Sequence, residues 1–162
     1  MSGPSLSWSE TLEGLAWTLE RPEATRALYV AIEATLTLES LRSPAGPVVI
    51  PMRGTLHGVG VADGATLSGR LVARPPGRLV YDGVFSTDSH GSCRMAGEKH
   101  FFWLAPVAST TELQLSFYDA ADREYARALV RSTFATNLRP LLRSLRLSGI
   151  PGLELARDLL LR

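Results

Sequence analysis

The chain has 162 residues, 45% hydrophobic and 20% charged, with a formal net charge of +1. That length suits one domain with a real core, and the near-neutral charge gives no global reason to expect nucleic acid or a membrane surface. The one cysteine, Cys93, excludes an internal disulfide framework and any cysteine-cluster metal site.

The first ten residues hold no basic or apolar leader pattern, and no apolar run approaches the ~20 residues of a membrane helix. A cytoplasmic protein with no membrane span is expected. Charge is uneven: residues 1–47 carry six acids and three arginines, whereas residues 123–162 carry eight arginines and three acids. The basic C-terminal part hints at an acidic partner surface.

Residues 8–19 are ambiguous. Leu12, Leu15, Ala16 and Leu19 suit a helical face, while Trp8 and Trp17 suit strand packing. Arg21-Pro22-Glu23 breaks the segment. A clean period-2 run follows, with Val30, Ile32, Ala34, Leu36 and Leu38 on one face and Glu33, Thr35, Thr37 and Glu39 on the other. That pattern predicts a half-buried antiparallel strand. After a Pro/Gly loop over 43–47, Val48, Ile50, Met52, Gly54 and Leu56 alternate with Arg53, Thr55 and His57. Pro51 implies an edge position or a bulge. Asp63-Gly64 reads as a hairpin turn, and residues 65–73 alternate again.

Arg74-Pro75-Pro76-Gly77 is a turn. Residues 79–86 are β-rich, and residues 87–92 form a polar loop. The next segment, residues 92–103, places Cys93, Met95, Gly97, Lys99, Phe101 and Trp103 on one face. Lys99 is the chain's single lysine, and that face is otherwise apolar. A loop follows over 106–109, then a strand with Leu113, Leu115 and Phe117 on one side, a turn over 119–122, and a last strand over 124–131. Beyond it the period lengthens: Phe134, Leu138, Leu141, Leu142 and Leu145 share a helical face, with Ser132 or Thr133 as N-cap. Pro140 implies a kink or break. A terminal helix or tail spans 153–162.

Turn signals every ~8–12 residues indicate a sandwich or barrel. The expected architecture is one mainly-β domain over 1–162. Its strands, over about 28–131, form an antiparallel meander closing into a seven- or eight-stranded barrel or curled sheet. A helical C-terminal segment, about 133–162, packs on the barrel or plugs it.

The order Gly54 to Gly58, Gly69, Leu79-Val80-Tyr81, Gly97-Glu98-Lys99, Ser109-Thr110-Thr111-Glu112-Leu113 and Phe134 to Leu147 resembles an accessory domain. That domain is fused to bacterial cholesterol-oxidase-like flavoproteins of the glucose–methanol–choline oxidoreductase superfamily. The opening Ser9-Glu10-Thr11-Leu12-Glu13-Gly14 is similar to that domain's start. Pro140 and the loop over 87–92 depart from the pattern. The resemblance implies a stand-alone β-rich accessory module with an oxidoreductase partner, and it does not imply flavin chemistry. No Gly-x-Gly-x-x-Gly fingerprint follows a strand, and the chain is too short to hold a flavin domain as well.

Candidate chemistry centres on Lys99. An inward cation needs a partner, either an anionic or carbonyl-bearing ligand or an acid such as Asp82 or Glu112. His57, His90 and His100 lack metal-ligand spacing, so no metal or cofactor is expected. Ser89-His90-Gly91-Ser92-Cys93 lacks a nucleophile elbow and reads as a hairpin loop. The arginines near 131–146 read as a solvated face over an apolar stripe.

The leading expectation is a non-catalytic binding or interaction module. It would hold a small apolar ligand of lipid or steroid type through Lys99, Tyr81, Met95 and Trp103, or dock to the flavoprotein. The alternatives are a small enzyme with a polar cluster of Lys99, Tyr81 and Asp82, and a self-associating homo-oligomeric subunit. No nucleic-acid partner is expected.

Overall fold

The computed structural model describes residues 4–37, 46–58, 60–74, 77–100, 112–132 and 146–148. Eight long strands account for nearly all of them: β1 (Ser5–Thr18), β2 (Arg21–Thr37), β3 (Val48–Gly58), β4 (Ala62–Arg74), β5 (Arg78–Thr87), β6 (Gly91–His100), β7 (Glu112–Tyr118) and β8 (Glu124–Ser132). A ninth, β9 (Arg146–Ser148), is short. Each of the eight pairs antiparallel with its neighbour in sequence, and β1 pairs with both β2 and β8. The meander therefore closes into an eight-stranded barrel, which removes the exposed sheet edges that invite aggregation.

Inward positions follow the period-2 alternation: Leu12 and Ala16 on β1, Val30, Ile32 and Ala34 on β2, Leu113, Leu115 and Phe117 on β7, Ala126, Ala128 and Val130 on β8. Eight strands enclose a lumen about wide enough for side chains to fill or for one small ligand. Here Tyr81, Phe117, Leu56, Leu67, Leu71 and Met95 are fully buried in it. Phe85 and Phe117 meet edge to face, with centroids 6.0 Å apart, the arrangement aromatic quadrupoles favour.

The two ends of the barrel differ. At one end the connections are tight turns: residues 19–20, 60–61, 88–90 and 119–123. This end is sealed. The Tyr125 hydroxyl donates to the Val61 carbonyl at 3.0 Å, and the His90 ring stacks on Tyr125 at 4.2 Å. At the other end lie the β2–β3, β4–β5 and β6–β7 connections and the exit of β8.

The closure has a seam. β1 pairs with β8 over residues 12–18 and with β9 over residues 5–7. Residues 8–11 have β2 on one side and lie between those two ladders on the other. Gly14 sits on the closing ladder, opposite Val130, and a Cβ there would stand 2.0 Å from the Leu129 carbonyl oxygen.

Several expectations change. Residues 8–18 are strand, the turn falls at 19–20 so that Arg21-Pro22-Glu23 opens β2, and the strands begin at Ser5 rather than near residue 28. Asp63-Gly64 is not the hairpin turn. The turn lies just before it, and between the pairs Leu56↔Ala65 and Gly58↔Ala62 β4 holds one residue more than β3. Gly64 supplies the left-handed φ of +67° that this bulge needs. Pro51 lies just past the last β2–β3 pair, Ala34↔Met52, so its missing N–H costs no bond to β2.

The C-terminal helix is not supported. Residues 146–148 are strand, because the open flank of β1 offers them a backbone ladder. The rest of the proposed helix, and the tail, lie outside the described residues, among which there is no helix.

Candidate functional site

Lys99 is the penultimate residue of β6 and faces the lumen directly opposite Leu79 of β5. Its Nζ lies 3.0 Å from Glu10 Oε1. The other carboxylate oxygen of Glu10, Oε2, accepts a hydrogen bond from the Tyr81 hydroxyl at 3.1 Å. The Lys99 ammonium also stands 5.1 Å from the centroid of the Tyr81 ring, in cation–π range. Lys99 is 5% exposed, Glu10 6% and Tyr81 0%.

Strand geometry brings these three together. Alternation turns Trp8, Glu10 and Leu12 inward on β1, Leu79 and Tyr81 inward on β5, and Cys93, Met95 and Lys99 inward on β6. Glu10 falls in the stretch of β1 between its β8 and β9 ladders. Burial first, and then the charge and hydrogen bond of Glu10, push the Tyr81 phenol well above its ordinary value. The hydroxyl is therefore a firm proton donor to the carboxylate. A pair of charges taken out of water is tolerable only when matched and hydrogen-bonded. Here the trio supplies one cation, one anion and one neutral donor.

Toward the same end of the barrel lies a rim of apolar side chains that are only partly buried: Trp8, Leu36, Val48 and Leu79. Each sits near a strand end on the side opposite the Tyr125 seal. Met95, four residues before Lys99 on the same strand face, is fully buried deeper in the lumen.

Of the four residues expected to line a ligand, Lys99, Tyr81 and Met95 thus face one lumen. Trp103 lies outside the described residues. The two acids weighed as partners for Lys99 point outward, each to a cross-strand arginine: Asp82 to Arg70 at 3.1 Å, and Glu112 to Arg131. Asp82 therefore does not join Lys99 and Tyr81 in a cluster. Glu10 was missed, although it shares the inward parity of Trp8 and Leu12.

The remaining candidates separate. His57 packs edge-on near Tyr29, His90 on Tyr125, and His100 lies 3.6 Å from Glu98. Among the described residues no three His, Cys, Asp or Glu side chains converge as a metal site would require. Cys93 is buried, with Sγ 3.6 Å from the Gly91 carbonyl oxygen. The segment 89–93 spans a β5–β6 turn, in which Thr87 Oγ1 accepts from the His90 amide at 3.0 Å.

Fold and site together define a class: a small closed antiparallel barrel with, among the described residues, a buried charge pair near an apolar rim. Compared with protein-family models, curated proteins and solved structures, the chain matches none.

Proposed function

We propose that this chain is a non-catalytic binding barrel. It takes a small, mostly apolar molecule at the end opposite the Tyr125 seal, with the molecule's polar end toward Lys99, Glu10 and Tyr81. The observation that carries this reading is the placement of the trio. The buried charged side chains among the described residues are Glu10 and Lys99, and they lie where the lining passes from fully buried core to the partly exposed rim of Trp8, Leu36, Val48 and Leu79. Ligand sites are typically apolar concavities with a few placed polar groups. The carboxylate of Glu10 is engaged through both oxygens, so the trio suits holding and orienting better than proton transfer. The resemblance to an accessory module of flavoprotein oxidoreductases supports the same role, exercised beside such an enzyme.

Native mass spectrometry of the full-length protein purified from its own host tests this. The expected result is one small molecule retained per chain, released by organic extraction and lost in Lys99→Met. A bare polypeptide mass, with no uptake of the neutral apolar dye Nile red, rejects the reading.

A further inference from the structure

We infer that the polar end of the molecule held at this site is a neutral hydroxyl or carbonyl and not a carboxylate. This rests on the binding-barrel reading and narrows it. A lone lysine in an apolar barrel would select an anion, as its own desolvation demands a counter-charge. Lys99 already has one, at 3.0 Å, on Glu10. Glu10 and Lys99 are the buried charged side chains among the described residues, and their charges cancel before any ligand arrives. A carboxylate seated beside the trio would bring a second anion against Glu10, with one ammonium to share between them.

Two like charges in a water-poor site repel strongly. The anion would also shed its own hydration shell on entry, which is the larger obstacle. A hydroxyl or ketone oxygen meets neither difficulty. It accepts an N–H from the Lys99 ammonium, which has three donors, without disturbing the charge balance. The Tyr81 hydroxyl donates its proton to Glu10, and its oxygen retains acceptor capacity for an alcohol O–H. The site thus offers a donor and an acceptor of the kind an alcohol uses, set below the Trp8, Leu36, Val48 and Leu79 rim that suits an apolar body.

The test uses three probes with the same carbon chain, 1-dodecanol, 2-dodecanone and dodecanoate, each displacing Nile red from the full-length protein at neutral pH. The alcohol and ketone are expected to bind at least about tenfold tighter than the carboxylate. Glu10→Gln, which leaves Lys99 without its anion, is expected to raise dodecanoate affinity by roughly tenfold or more and so erase or reverse the order. Equal or tighter binding of dodecanoate by the unmodified protein overturns the inference while leaving the binding barrel in place. An unchanged order in a folded Glu10→Gln protein does the same. If Glu10→Gln fails to fold by circular dichroism, the ratio in the unmodified protein decides. Failure of Nile red and all three probes to bind overturns the binding-barrel reading itself, and the inference with it.

Discussion

Removing the Lys99 ammonium would leave the Glu10 carboxylate buried beside Tyr81 with no cation. Breaking a buried pair from one side costs about 3–5 kcal/mol, whereas replacing both partners by apolar groups of similar size is often neutral. Lys99→Met should therefore destabilise the protein by that amount in urea unfolding, and Glu10→Leu combined with Lys99→Met should recover most of it. If the single substitution costs under 1 kcal/mol, the pair is not held in a dry interior.

Tyr81 adds an alkaline limit. Its phenol is raised in the folded state, so its contribution is complete below the unfolded phenol value, near 10. It is lost as pH climbs above that value, because the unfolded chain releases the proton that the barrel retains. Tyr81→Phe should flatten the fall in stability between about pH 9 and 11, read by urea midpoints across that range. The inward position of Lys99 was legible from alternation alone. Its partner was not, because Glu10 is 89 positions away, on a segment whose leucines also fit a helical period. Asp82 and Glu112 were the wrong acids for a reason alternation does contain: each is adjacent to an inward residue, Tyr81 or Leu113, and so must face out.

At the scale of elements, β1 carries the closure. It pairs with β2, β8 and β9 in turn, and Gly14 lets the β8 backbone approach more closely than any side chain would allow. Gly14→Val should part the closing ladder and lower stability by roughly 3 kcal/mol or more, within the range of severe packing and backbone defects. Thermal melting followed by circular dichroism would show it, and an unchanged midpoint would contradict the tight closure.

On β8, hydrogen bonds from Arg127 and then Ser116 hold the Glu124 carboxyl at about 2, below its ordinary 4.5. A depressed carboxyl contributes stability above its unfolded value and loses it as pH falls through the folded one. Glu124→Gln should therefore blunt the acid loss of stability between pH 4.5 and 2, measured by unfolding midpoints. From about residue 28 to β8 the strands were readable where inward and outward residues alternate, but residues 21–27 are exposed throughout and carry no such period, so the first part of β2 was not. The β4 bulge was not, since Asp-Gly carries the same signal in a hairpin turn and in a bulge needing a left-handed residue. β9 was hidden because three residues carry no period, and its pairing exists only through the flank that β1 leaves open.

For the whole molecule, closure gives the barrel two unlike ends. One end is tied together by Tyr125, Val61 and His90, and toward the other lie the Lys99–Glu10–Tyr81 trio and the partly buried Trp8, Leu36, Val48 and Leu79. A meander of seven or eight strands was legible from regularly spaced turns, and eight close the barrel; which strands meet at the seam, and so how the two ends differ, is a long-range matter no local pattern encodes. The central claim is that a neutral apolar molecule engages this second end through Lys99. Because Lys99 is the chain's single lysine, the protein labelled with carbon-13 at the lysine ε-position gives one side-chain resonance for the site. On addition of 1-dodecanol that resonance should shift and saturate at one equivalent. A resonance that stays in place, while Nile red is displaced or while nothing binds, would contradict the account.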